Sequence, residues 1–178
     1  HEMVVAATAE NPNFVTSRAD LDRGTTSYAL LTAQDMRRQY GDDAKLSMLI
    51  SADYLDPTNA LTLTEWMGFE ELASIVRFLV FRSDKDMNQV HTWAKQIKAS
   101  HANVVIEVLN TPRPNVTGEM LRDRAAKGLS LQYTTPWVVQ QIIKKRHLYS
   151  PISDQTQVAK SRAKASRSKK TASGDCNS

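Results

Sequence analysis

The chain has 178 residues, with 23 Lys and Arg against 19 Asp and Glu, 41% hydrophobic and 24% charged residues. That length permits one domain with a real core, and that composition is that of a globular protein. No apolar run approaches the roughly 20 residues of a membrane span. The one cysteine, Cys176, excludes a disulfide framework and a Cys-based zinc site and suits a cytoplasmic location.

In chain order, residues 1–10 read as the end of a helix stopped by Asn11-Pro12. Phe14 to Ser17 reads as a short strand. Thr26 or Ser27 is placed to cap a helix running to about Tyr40, with Gly41 terminating it. Leu46 to Ser51 (LSMLIS) is a strand, Glu65 to Ile75 a helix, and Arg77 to Phe81 a strand. Asp86 starts a helix to about Ser100 with Met87, Val90, Ala94 and Ile97 on one face. Val104 to Val108 is a strand. Gly118 to Lys127 and Pro136 to His147 are helices, the second with Pro136 at its first position and Lys144-Lys145-Arg146 complementing its dipole. Helices alternating with apolar strands predict a mostly parallel sheet covered by helices on both faces.

The net charge of +4 is uneven. Residues 151–178 hold six of the basic residues (Lys160, Arg162, Lys164, Arg167, Lys169, Lys170) and two of the acids (Asp154, Asp175), leaving 17 of each elsewhere. The sequence pI near 9.2 is a property of that end. Rich in Ser, Ala and Lys and poor in apolar residues, it is expected to be a disordered basic tail over 150–178, after a domain over 1–149. It lacks aromatics to stack on bases, so nucleic-acid binding is not expected.

Three segments hold candidate site residues. A strand (Val104-Val105-Ile106-Glu107-Val108), a loop with Pro112 and Pro114, then a helix opened by Thr117 form a unit of the kind that grips phosphates, because free N–H groups at a helix N-terminus favour an anion. Asp53 follows the strand Leu46 to Ser51, where it could simply cap a loop. Trp66-Met67-Gly68-Phe69-Glu70-Glu71-Leu72 opens the next helix; Trp66 and Phe69, three apart, could simply be core. His91 reads as a surface or a satisfied helix histidine, and Arg122, taken alone, as a solvated helix residue.

These segments resemble the bacterial nicotinate-nucleotide adenylyltransferases. In that family a turn reading Ile-Ser-Ser-Thr-x-Ile-Arg follows the last main strand; here Val116-Thr117-Gly118-Glu119-Met120-Leu121-Arg122 stands there, followed by Lys127-Gly128, Gln132-Tyr133, Pro136 and Leu148-Tyr149. Leu46 to Asp53 is similar to the family strand ending in Gly-x-Asp, with Ser51 for the Gly. Trp66 to Leu72 is similar to Trp-x-x-(aromatic)-Glu-Glu-Leu, and Arg77 to Arg82 to the strand after it. Gly24 to Thr32 (GTTSYALLT) resembles Gly-Pro-Ser-Tyr-Thr-x-Asp-Thr at Ser27, Tyr28 and Thr32 but not at Ala29 and Leu31. The resemblance covers residues 1–149.

It implies a Rossmann-like nucleotidyltransferase fold and transfer of the adenylyl group of ATP to nicotinate mononucleotide in NAD biosynthesis. Tyr28, Ala29, Asp53, Trp66 and Met67 would hold the nicotinate nucleotide, and Thr117, Gly118 and Arg122 the ATP. Mg²⁺ would accompany the ATP. No protein ligand for it is identified. The family's His-x-Gly-His is not in the sequence, whose histidines are His1, His91, His101 and His147. The chain therefore reads as an N-terminally truncated copy, missing its first strands, with no catalytic residue of its own and expected to be inactive. A nucleotidyltransferase with another acceptor, or a non-catalytic relative using its tail to bind RNA or a partner, stays open, as does a homo-oligomer.

Overall fold

The computed structural model describes residues 1–81, 85–110 and 116–149. Its elements in chain order are α1 (Glu2–Thr8), α2 (Ala19–Arg23), α3 (Ala29–Tyr40), β1 (Leu46–Ser51), α4 (Phe69–Ile75), β2 (Val76–Phe81), α5 (Met87–Ser100), β3 (Ile106–Val108), α6 (Gly118–Ala126) and α7 (Trp137–Arg146). Short 3-10 turns span Ala52–Leu55 and Leu63–Glu65. The chain divides into two compact units, one of residues 1–16 with 115–178, the other of residues 17–114. Arg82 and the basic segment 150–178 lie outside the described residues. Among the described residues, no helix is long and apolar enough to cross a membrane.

The larger unit is built on a parallel sheet in the order β1-β2-β3. Met48 pairs with Phe78 and Ile50 with Val80 across β1 and β2; Phe78 pairs with Ile106 across β2 and β3. Strand side chains alternate between faces. Ile50, Val76, Phe78, Val80 and Ile106 therefore share one face. They pack in a single core with Leu30 and Ala33 of α3, Leu72 and Ala73 of α4, and Val90 and Ala94 of α5. Phe78, Val80, Leu72 and Val90 are fully buried, each such side chain contributing roughly 1.5–3 kcal/mol. The opposite face is open: Leu49 is 63% exposed, and Ser47, Arg77 and Phe81 are exposed beside it. Of the cover expected on both faces, the helices of this unit supply one.

Arg37 fixes how α3 leads into the sheet. Its guanidinium donates to the carbonyls of Gly41 (3.1 Å), Asp42 (2.7 Å), Ala44 (2.7 Å) and Ile75 (2.9 Å). One side chain thus joins the end of α3, the entry to β1 and the junction of α4 with β2. Gly41 ends α3 with φ of 83° and donates to Arg37 O. A left-handed φ of this kind favours glycine.

Three local expectations are corrected. Phe14 to Ser17 forms no strand. The segment is pinned at both ends by local bonds, Asn13 N and Phe14 N donating to Asn11 and Ala19 N donating to Ser17 Oγ (3.1 Å). It pairs with no described strand, and Phe14 and Val15 are exposed. α3 starts after Tyr28, whose side chain makes no capping bond, so neither Thr26 nor Ser27 is the cap. The helix expected over 65–75 is broken: a 3-10 turn ends at Glu65, Gly68 adopts φ of 65°, and α4 begins only at Phe69. Trp66 therefore stands in a turn, not on the helix with Phe69. Asp86 caps α5 by accepting from Asn88 N, as expected.

The other unit contains α1, α6 and α7. Thr117 caps α6, its Oγ1 accepting from Met120 N (3.2 Å). Pro136 is the N-cap of α7 and not, as expected, its first helical residue, which is Trp137. α7 ends at His147, with φ of 52°, and Leu148 N returns to Ile143 O (3.0 Å), closing a left-handed C-terminal motif. Arg146 pairs with Glu2 and ties α7 to α1.

Candidate functional site

A pocket of about 450 Å³ opens at the N-terminus of α3, lined by Ser27, Tyr28, Ala29, Ala60, Leu61, Glu65, Trp66 and Met67. Four of the five residues expected to hold a nicotinate nucleotide, Tyr28, Ala29, Trp66 and Met67, meet there. The first bond within α3 runs from Thr32 N to Tyr28 O (3.3 Å). The N–H groups of Ala29, Leu30 and Leu31 precede it and make no intrahelical bond. The pocket thus has a positive helix end on one side. Leu61, Trp66 and Met67 add apolar lining, and Glu65 a carboxylate.

Trp66 is oriented by two contacts. Its Nε1 donates to Leu61 O (3.0 Å), and Tyr54 meets its ring edge-to-face with centroids 5.1 Å apart. The bond fixes the indole N–H, and Trp66 lines the pocket. Gly68 permits the turn that carries Trp66 and Met67. Its φ is left-handed, and a β-carbon there would overlap Cδ2 of Leu30. The turn is thereby pressed onto the first residues of α3.

Asp53 does not line this pocket. It sits in the 3-10 turn after β1, its carboxylate accepting from Ser51 Oγ (2.7 Å) and its carbonyl from Asn59 Nδ2 (2.9 Å). The cap of that turn is Ser51, whose Oγ accepts from Asp53 N (3.4 Å), and not Asp53, which the sequence alone offered as one. The stronger charge network is one that the sequence reading missed. Asp56, 7% exposed, accepts from Lys85 Nζ (2.8 Å), Thr58 Oγ1 (2.7 Å) and Thr58 N (2.9 Å). The Lys85 bond and the two from Thr58 hold its carboxyl down at about 2. Asp56-Pro57-Thr58 carries the signature of an Asx turn, so the local half was legible. Lys85, 29 positions on, was not.

A second acidic cluster braces α2 against α3. Arg23 reaches Asp20 (2.8 Å) and Asp35 (2.5 Å), and Thr32 Oγ1 donates to Asp20. Bonds from Thr32 and Arg23 depress the Asp20 and Asp35 carboxyls respectively. Thr32, the residue after Leu31 in the Tyr28 segment, is thus held by the helix before it.

In the other unit, Thr117, Gly118 and Arg122 gather at the N-terminus of α6. The Arg122 guanidinium folds back along the first turn, 3.1 Å from where a β-carbon on residue 118 would stand. Glu119 is exposed at the second helical position. His91 is exposed, as expected of a surface histidine, and so are Lys144 and Lys145 in the last turn of α7. Among the described residues, no three His, Cys, Asp or Glu side chains are grouped to hold a metal ion.

A three-stranded parallel sheet with crossover helices, carrying a ligand-sized pocket at a helix N-terminus, defines a Rossmann-like α/β protein. No protein-family model matches the chain. Curated proteins do. The chain is 33% identical to the probable nicotinate-nucleotide adenylyltransferase of Mycolicibacterium vanbaalenii over 148 residues, 83% of this chain and 65% of that protein. It is 30% identical to the protein of the same name from Salinispora arenicola, over 83% of this chain and 71% of that one. For the one from Corynebacterium glutamicum the figures are 34%, 84% and 63%. The chain spans about two thirds of the length of these relatives. It belongs to the nicotinate-nucleotide adenylyltransferase family, as a divergent member.

Proposed function

We propose that this chain binds nicotinate mononucleotide in the Tyr28–Trp66 pocket and the phosphates of ATP at the Thr117 turn, the two substrates of adenylyl transfer to a pyridine mononucleotide. The observation that supports this most is the pocket itself, which combines the unused N–H groups of α3 with the indole of Trp66. A planar pyridine ring stacks on the indole, and its carboxylate accepts from N–H groups that any non-proline residue supplies. Ala29, where the family has Thr, is no obstacle to that. Asp53, tied to Ser51, is assigned the outer edge of the nucleotide.

In the reaction, a phosphate oxygen of nicotinate mononucleotide attacks the α-phosphorus of ATP in line. The bond to the bridging oxygen breaks, and pyrophosphate leaves with the electron pair. The products are deamido-NAD and pyrophosphate. Mg²⁺ enters with ATP as the counter-ion of its phosphates, as part of the substrate. The residues of this chain are assigned to holding the two reactants. Thr117 and Gly118 present the first N–H groups of α6, and Arg122 supplies a cation. No proton-transfer step is assigned to them.

The test is a titration followed by tryptophan fluorescence. Nicotinate mononucleotide should quench the protein saturably, and Trp66→Phe should remove the response while Trp93 and Trp137 remain. ATP should bind separately and lose affinity in Arg122→Ala. No response to the mononucleotide would refute the pocket assignment. A second reading rests on the exposed Glu119 carboxylate in the first turn of α6: a relative that no longer uses ATP. Mononucleotide binding with no ATP binding would establish it.

A further inference from the structure

The segment between β1 and α4, residues 52–68, forms the wall of the pocket opposite α3. It is long, and its middle carries Ala60 and Leu61, which line the pocket. Leu55 and Leu63 anchor it in the core, at 1% and 0% exposure. Between them its hydrogen bonds turn inward. Asn59 Nδ2 donates to Asp53 O (2.9 Å), Leu61 N to Asn59 Oδ1 (3.0 Å), Thr62 Oγ1 to Tyr54 O (3.2 Å) and Trp66 Nε1 to Leu61 O (3.0 Å). These bonds give the loop a shape but tie it to nothing outside itself.

Among the described residues, a polar tie from the loop to another segment is the ion pair of Asp56 with Lys85, which stands after β2. It joins the segments that leave the carboxyl ends of two adjacent parallel strands. An exposed ion pair is ordinarily worth little. This one is different on the acid side, where the side chain is 10% exposed and holds three donors. From Asp56 the connection is short: Asn59 N donates to Asp56 O (3.1 Å), Asn59 Oδ1 holds Leu61 N, and Leu61 O holds the indole of Trp66.

We propose that the Asp56–Lys85 pair is the positioning device of the pocket, setting the place of the Ala60–Leu61 wall and, through Leu61, the orientation of Trp66. In its ligand consequence this rests on the pocket being the mononucleotide site. In its structural consequence it does not. Neither residue touches the ligand; both act through the wall.

Amide and indole hydrogen exchange tests it in the 178-residue chain. Lys85→Met keeps the length of the stem and removes the charge. It should speed exchange at Leu61 N, Thr62 N and the Trp66 indole about tenfold. The Trp93 and Trp137 indoles and the amides of β1 and β2 should keep their rates. Lys85→Arg should restore wild-type rates. If Lys85→Met does not fold, Lys85→Gln, which keeps a donor without the charge, carries the same readout. Unchanged exchange in the wall, or equal acceleration in β1 and β2, would overturn the proposal.

The ligand arm separates the two readings. Where wild type binds nicotinate mononucleotide, Lys85→Met should weaken it about tenfold and leave ATP affinity unchanged, and equal losses for both ligands would overturn the positioning role. Where wild type does not bind the mononucleotide, the pocket assignment falls, and the exchange rates alone decide the role of the pair.

Discussion

Gly68 and Leu30 touch so closely that a β-carbon on residue 68 would overlap the Cδ2 methyl of Leu30, which would have to shift, and stand 3.6 Å from its Cγ. This contact joins the turn carrying Trp66 and Met67 to the first turn of α3. The left-handed φ of 65° at Gly68 adds a backbone reason to the steric one.

Gly68→Ala should therefore be costly on both counts. A left-handed non-glycine residue costs roughly 1–2 kcal/mol, and forcing a methyl into a packed contact adds about 1–3 kcal/mol. The thermal midpoint should drop by roughly 2–4 °C for each kcal/mol in a chain of this length. Gly24, also left-handed but with nothing within 4 Å, separates the two terms: Gly24→Ala should show the backbone cost alone. Equal losses at 24 and 68, measured by calorimetry, would show that the Leu30 contact yields freely.

The 178 residues alone should make no deamido-NAD from ATP and nicotinate mononucleotide. The family's His-x-Gly-His, whose histidines offset the charge that develops at the reacting phosphorus, is absent from this sequence. Incubation of the pure chain with both substrates and Mg²⁺, followed by chromatography for the dinucleotide, checks this. Turnover would require a charge-stabilising group among the residues assigned here to binding alone.

Stability should fall in acid through Asp56. Its carboxyl is held at about 2, first by Lys85 and then by Thr58, against an ordinary value of 3.8. A depressed acid contributes stability that is complete above its unfolded value and is lost as pH falls through its folded value. The window thus runs from about pH 4 down to about pH 2. Asp20 and Asp35, also depressed, titrate in the same direction, so the comparison must be with a variant. In Lys85→Met, chemical denaturation should show a shallower loss of stability across that window. An unchanged slope would mean that the Lys85 bond does not set the titration of Asp56.

Where the sequence was read correctly, one signal dominated. The strand Leu46 to Ser51 has the bounds expected of it because its apolar alternation matches one buried face. The α5 face of Met87, Val90, Ala94 and Ile97 was legible from helical spacing, and the Asp86 cap from its side chain. The readings failed where non-local contact decides. Phe14 to Ser17 has strand-like residues but no partner among the described strands. The turn at Gly68 is imposed by its packing on Leu30 of α3, so the apparent helix over 65–75 breaks and Trp66 leaves it. Tyr28, Ala29, Trp66 and Met67 line one pocket, but Ala60 and Leu61, which line it too, sit in a segment with no motif, where Asp56 is paired with a lysine 29 residues away. The place of Asp53 after β1 was legible; its bonds to Ser51 and Asn59 were not.

Glu119 gives the sharpest test of the ATP assignment. It stands at the second position of α6, where an acid stabilises the helix by roughly 0.3–1 kcal/mol through the dipole. The same place faces any triphosphate held by the Thr117 cap and the N–H groups of Gly118 and Glu119. Arg122, folded back over Gly118, offsets part of that repulsion, and Glu119 itself is exposed, so solvent screens the rest. Repulsion that survives screening is still expected to exceed the helix gain, because the ligand carries several negative charges. Glu119→Thr should therefore tighten ATP binding about tenfold, corresponding to roughly 1.4 kcal/mol, and lower helix stability slightly. Glu119→Gln, which keeps the shape, should reproduce most of the gain. Isothermal titration with ATP at low salt reads both, and the gain should shrink as salt rises. An affinity that neither substitution changes would mean that the carboxylate points away from the phosphates and the turn holds them by its backbone and Arg122 alone.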